Sequence, residues 1–207
     1  MELESLVTVD SDDRTASSLK SDANTLFELK DYKSAVVVYK KAINRIVGDT
    51  QLEVGCLVLV SYSDSVDMRT GMISDVADLA YDVLLDDDYR HQVDEEVVVS
   101  ADRLLVLASS PSDRLLQRSL YLNLARCATK LSYKGWAVKY ASIALAISSL
   151  IDSECRDKAS TVPSCSMSPE MDSVRLLADC LYFRGRSLLI ACRPQLAKKV
   201  FKAELIQ

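Results

Sequence analysis

A mainly α chain with a small all-β insertion is what the sequence predicts, and three observations carry that expectation. Pairs of small residues twelve positions apart recur in three helical stretches: Ala23 and Ala35, Ala125 and Ala137, Gly185 and Ala197. Four residues after each second member stands Tyr39, Ala141 or Phe201, one helical turn further along the same face. Between the first two stretches, from Gln51 to Val106, the apolar period changes from helical to two, which is the mark of strands. The 207 residues suffice for one or two compact domains.

Residues 1–16 show no periodicity and are expected to form a flexible N-terminus. The first helical hairpin is expected over 17–49, with Ser17 or Ser18 as helix cap. Lys20, Asn24 and Phe27 fall on successive turns of one helix, Asp31-Tyr32 marks the turn, and Ala35, Tyr39 and Ala42 face the first helix from the second. Residues 50–108 are expected to be a five-stranded insertion. Val54, Cys56, Val58, Val60 and Tyr62 alternate along its first strand, with Leu57 and Leu59 on the other face. Further strands are expected at 70–76, 81–85, 96–99 and 103–106, so that five short strands in under 60 residues predict a small barrel. The second hairpin is expected over 109–151, a loop rich in serine over 152–169, and the third hairpin over 170–207, beginning near Pro169 with its second helix near Pro194. The barrel is expected to be a separate module whose ends lie close together.

The hairpins resemble the tetratricopeptide repeat, a helix-turn-helix of about 34 residues whose small residues let the helices approach closely. Ala42 and Ala144 continue the register; Glu204 at the third corresponding position departs from it. Ala23 and Ala125 are 102 residues apart, and Ala125 and Gly185 are 60 apart, so the array is interrupted by something domain-sized and then by a long loop. The insertion resembles the SH3-like and Tudor-like barrels over about 55 residues: Val54-Gly55-x-x-Val58-x-Val60, Gly71-x-Ile73 and Tyr81-x-Val83-x-x-Asp86-Asp87 recur there. The resemblances together imply three helical hairpins of the tetratricopeptide type plus a five-stranded SH3-like barrel.

Charge and composition narrow the function. Residues 50–108 hold 13 acids and 3 bases, whereas the rest of the chain holds 17 acids and 22 bases. An acidic insertion repels phosphate backbones, so nucleic acid is not an expected partner. The start of the chain lacks the order of a signal peptide, and no apolar run reaches the roughly 18 residues that span a bilayer, so no membrane is expected as a partner and a cytoplasmic location is. Cys56, Cys127, Cys155, Cys165, Cys180 and Cys192 form no C-x-x-C pair and His91 is the lone histidine, so reduced thiols, no metal and no cofactor are expected. With no phosphate loop and no placed nucleophile–base pair, an enzyme is not expected.

Binding is the expected function. In the co-chaperone branch of the repeat family the concave groove holds the acidic C-terminal tail of heat-shock chaperones. It uses Lys and Asn from the first repeat, Asn from the second, and Lys and Arg from the third. By register the resemblance assigns these positions to Lys20, Asn24 and Asn123, and then to Asp179 and Phe183, which supply no cation. Charge-assisted hydrogen bonds to carboxylates are the physics of such a clamp. The implied function is an adaptor binding protein tails through an incomplete clamp. The alternatives are a full chaperone-tail receptor in which Arg184, Arg186 or a barrel residue replaces the missing cations, and a Tudor-like reader of basic or methylated tails. Tyr62 and Tyr89 would be the surface aromatics of such a reader, Tyr81 being a core strand residue.

Overall fold

The computed structural model describes residues 14–48, 52–61, 68–77, 80–85 and 95–159, together with 182, 184–186, 188–189 and 195–198. The chain opens with α1 (Ala16–Glu28) and α2 (Tyr32–Val47). The Thr15 side chain, rather than Ser17 or Ser18, caps α1 by accepting from the Ser18 amide at 3.2 Å. Lys30 adopts a left-handed φ of 64° between the helices, and Asp31 caps α2 by accepting from Ser34 N. Phe27 and Tyr32 meet edge to face across this turn at 5.2 Å. The second pair is α3 (Pro111–Lys130) and α4 (Lys134–Ala159). Ser110 caps α3, with Pro111 in its first turn and the Asp113 carboxylate accepting from the Ser110 hydroxyl at 2.7 Å.

The four helices pack in sequence, α1 on α2, α2 on α3 and α3 on α4, and α1 also touches α3. The paired small residues make these approaches possible: Ala23, Ala35 and Ala125 are fully buried and Ala137 nearly so. In the third stretch Gly185 and Ala197 are also buried. Phe201, Glu204 and most of the residues around that pair lie outside the described residues.

Between α2 and α3 run five antiparallel strands: β1 (Leu57–Ser61), β2 (Met68–Val76), β3 (Tyr81–Leu85), β4 (Glu95–Val99) and β5 (Leu104–Val106), in spatial order β4-β3-β2-β1-β5. The closed SH3-like or Tudor-like barrel expected from the sequence is not what forms. All the described pairing of β4 goes to β3 and all that of β5, three residues long, to β1. Only residues 100–103 join the two edge strands. A chain of that length reaches at most about 17 Å, against about 19 Å between the edges of a flat five-stranded sheet. The sheet is therefore curled yet open, its edges bridged by a 3-10 turn (Ala101–Arg103) instead of a ladder.

The sheet is also not the separate module expected of an insertion whose ends lie close together. Val58, Leu59 and Val60 are all buried, which requires cover on both faces. Val58 and Val60 join Ile73, Val83, Leu85 and Val99 in a core of the sheet's own. Leu59 and Leu107 instead enter the helical core, with Leu57, Met68 and Leu105 packed against it, and α4 rests on β2. The fold is thus mixed α/β around a shared core, not a mainly α chain with an independent insertion.

Two polar side chains of α3 lock this junction. Gln117, fully buried, accepts from Ala108 N at 3.0 Å and donates to Val106 O at 3.1 Å, so it ties the end of β5 to the helix. Arg114 donates to the Ala108 and Ser109 carbonyls at 2.9 and 2.8 Å and grips both oxygens of Glu154 at 2.7 and 2.8 Å. That pair, both bonds from one guanidinium nitrogen, ties α3 to α4, which continues to Ala159 although a loop is expected from residue 152.

Candidate functional site

The second face of the α1–α2–α3 layer carries a line of hydrogen bonds. The Tyr39 hydroxyl, brought in by α2, donates to Asn24 Oδ1 on α1 at 2.7 Å. Asn123 Nδ2, brought in by α3, donates to the same oxygen at 3.2 Å, and Arg126 donates to Asn123 Oδ1 at 3.1 Å. Asn24 Oδ1 is thereby satisfied twice and the amide is held in one orientation, with its Nδ2 donors directed away from these partners. Thr25 and Thr129 return their hydroxyls to their own helices, to Ser21 O and Ala125 O, and take no part.

Lys20 stands one turn before Asn24 on the same face of α1. It is half-buried, and loss of water lowers its pKa from the usual lysine value. No described carboxylate pairs with it. The surroundings are mixed in charge: α2 has no acidic residue, while Arg126 and the Glu28 of α1 both act on Tyr39. Burial, followed by the nearby Cys127, raises the Tyr39 pKa to about 12, and burial raises that of Cys127 to about 11, so both are neutral near pH 7. What the site presents is one ammonium group and an oriented amide pair, a set of donors suited to carboxylate oxygens.

The structure therefore joins Asn24 to Asn123 directly and sets Lys20 beside them. Asp179 and Phe183, the third-hairpin positions, lie outside the described residues, as do Tyr62, Tyr89 and His91. Of the neighbouring arginines, Arg184 is half-buried and Arg186 exposed. Two members of the network escape a sequence reading. Tyr39 stands in the packing register and gives no sign that its hydroxyl reaches two other helices; Arg126, three residues after Asn123, is recognisable by helical spacing once Asn123 is singled out. Cys56 and Cys127 are in no disulfide. Among the described residues no helix is long and apolar enough to cross a membrane.

Comparisons with protein-family models, with curated proteins and with solved structures give no match to this chain.

Proposed function

We propose that the chain is a protein-interaction adaptor that takes acidic peptide segments or tails on the face shared by α1 and α3, in the manner of a co-chaperone repeat protein with an incomplete carboxylate clamp. The observation that carries this reading is Lys20: a half-buried cation with no described carboxylate partner, one turn from an amide pair that bridges two helices. Removing water from a lysine is unfavourable unless an anion replaces it, so a bound carboxylate would stabilise the site it occupies. The Tyr39–Asn24–Asn123 bonds support the reading further, because an amide fixed in advance loses less freedom on binding.

In the same reading Asp179 and Phe183 replace two cations of the clamp. Each charge-assisted hydrogen bond contributes about 1.5–3 kcal/mol, so a Glu-Glu-Val-Asp tail alone binds weakly, and a ligand with an apolar side chain opposite Phe183 binds better. Calorimetry with that peptide tests it. The unaltered chain gives little heat, Asp179→Lys with Phe183→Arg creates binding, and Lys20→Ala in that background abolishes it. Micromolar binding by the unaltered chain that survives Lys20→Ala overturns the clamp.

A further inference from the structure

The opposite side of α2 presents a second arrangement, independent of the Asn24–Asn123 face. Trp136, near the start of α4, is 53% exposed, as is Tyr133 three residues before it. Two ammonium groups lie against its ring: Lys40 Nζ of α2 at 5.8 Å from the ring centroid and Lys139 Nζ of α4 at 5.5 Å. Both are within the range of cation–π attraction. The indole is backed by Tyr140 at 5.5 Å, which in turn stacks on Tyr121 at 6.2 Å, so the exposed ring is the outer end of an aromatic row rooted between α3 and α4. On α2, Val37, one turn before Lys40, is 54% exposed.

The charge around this patch is one-sided. α2 carries Lys33, Lys40, Lys41 and Arg45 and no acid, and α4 has no acid before Asp152. No described carboxylate pairs with Lys40 or Lys139. Exposed aromatic and aliphatic side chains gathered in one place, beside cations that no described carboxylate neutralises, mark this face as a candidate interaction surface.

We propose that this α2–α4 face docks an acidic peptide segment of a partner protein, with an aromatic or aliphatic side chain laid on Trp136 and flanking carboxylates on Lys40 and Lys139. A peptide suits it better than an anionic membrane. A bilayer surface favours a ring that protrudes from the protein, whereas Trp136 is only about half exposed and set against Tyr140.

Trp136 is the chain's single tryptophan, so its fluorescence reads this face alone. The test titrates the full chain with the capped peptide acetyl-Glu-Glu-Asp-Phe-Glu-Glu-amide, which has no terminal carboxylate for the Lys20 site. The expected result is a saturable change in Trp136 emission. The half-saturating concentration rises about tenfold with Ala in place of the peptide Phe, and about tenfold in Lys40→Gln/Lys139→Gln. Lys20→Ala leaves it unchanged, which separates this face from the clamp. The inference is overturned by no response at millimolar peptide, by a response indifferent to the lysine pair, or by loss of the response in Lys20→Ala. It is equally overturned by a shift with phosphatidylserine vesicles but not with peptide, or by a concentration-dependent shift without peptide, which would make the occupant a second copy of the chain.

Discussion

Gln117→Leu removes the polar joint between sheet and helices while keeping side-chain volume nearly constant. The Leu side chain fills the space, so no large cavity opens, but Ala108 N and Val106 O lose the partners they hold at 3.0 and 3.1 Å. Ala108 is 3% exposed, so water cannot replace Gln117 there. An orphaned buried group costs about 1–3 kcal/mol. The amide takes that cost in full and the half-buried carbonyl about half of it, while burying Leu returns about a third of the sum. A net loss of about 1–3 kcal/mol follows. For a chain of this size that lowers the thermal midpoint by about 2–12 °C. Urea unfolding followed by far-UV circular dichroism reads the difference, and Gln117→Ala should be worse because it adds a cavity. Equal or greater stability of Gln117→Leu would refute the reasoning, since it would mean that apolar burial at this joint outweighs both hydrogen bonds.

Gly71→Ala should destabilise the sheet by about 1–3 kcal/mol, because the new Cβ would stand 2.7 Å from Leu84 O and 2.6 Å from Val83 Cγ1; chemical unfolding measures it. Leu59→Ala should cost about 2–5 kcal/mol and loosen the helices together with the sheet, because Leu59 lies in their core; hydrogen exchange of the helical amides checks this. For the same reason, replacing 52–107 with a Gly/Ser linker should leave the helices poorly folded, and a cooperative helical protein after that deletion would show that the shared core is dispensable. At alkaline pH the folded state holds the Tyr39 proton more tightly than the unfolded chain, with a pKa near 12 against an ordinary 10. Stability is therefore complete below pH 10 and falls between 10 and 12, by on the order of 1 kcal/mol per pH unit. Tyr39→Phe should flatten that slope, although Tyr121, also raised by burial, keeps part of it.

Local pattern made much of this fold readable. The four helices follow from apolar spacing and from the twelve-residue register of small residues, and the strands from alternation in residues that favour extended backbone. What alternation leaves open is what covers each face. Leu57 and Leu59 read as the second face of β1, yet nothing within the strand says that helices lie there. Closure of the sheet depends on how far its edges curl toward each other, a property of all five strands jointly. α4 runs to Ala159 past Glu154, whose partner Arg114 lies 40 residues away in sequence. In the candidate site, the approach of Asn123 to Asn24 was legible because both fall at the same place in the helical register. Tyr39's hydroxyl bond was not, since the same side chain satisfies an apolar register with its ring.

The placement of the sheet between α2 and α3 also imposes an order in time. α2 packs directly on α3, but roughly 60 residues separate Val47 from Pro111. At synthesis rates of about 5–20 residues per second, α2 waits on the order of 3–12 s before its partner exists. Throughout that interval the side of α2 destined for α3 has nothing of its own chain to rest on. A nascent chain stalled inside the sheet would therefore carry a finished first hairpin with an uncovered face, the state in which a chaperone or a neighbouring nascent chain could most readily capture it.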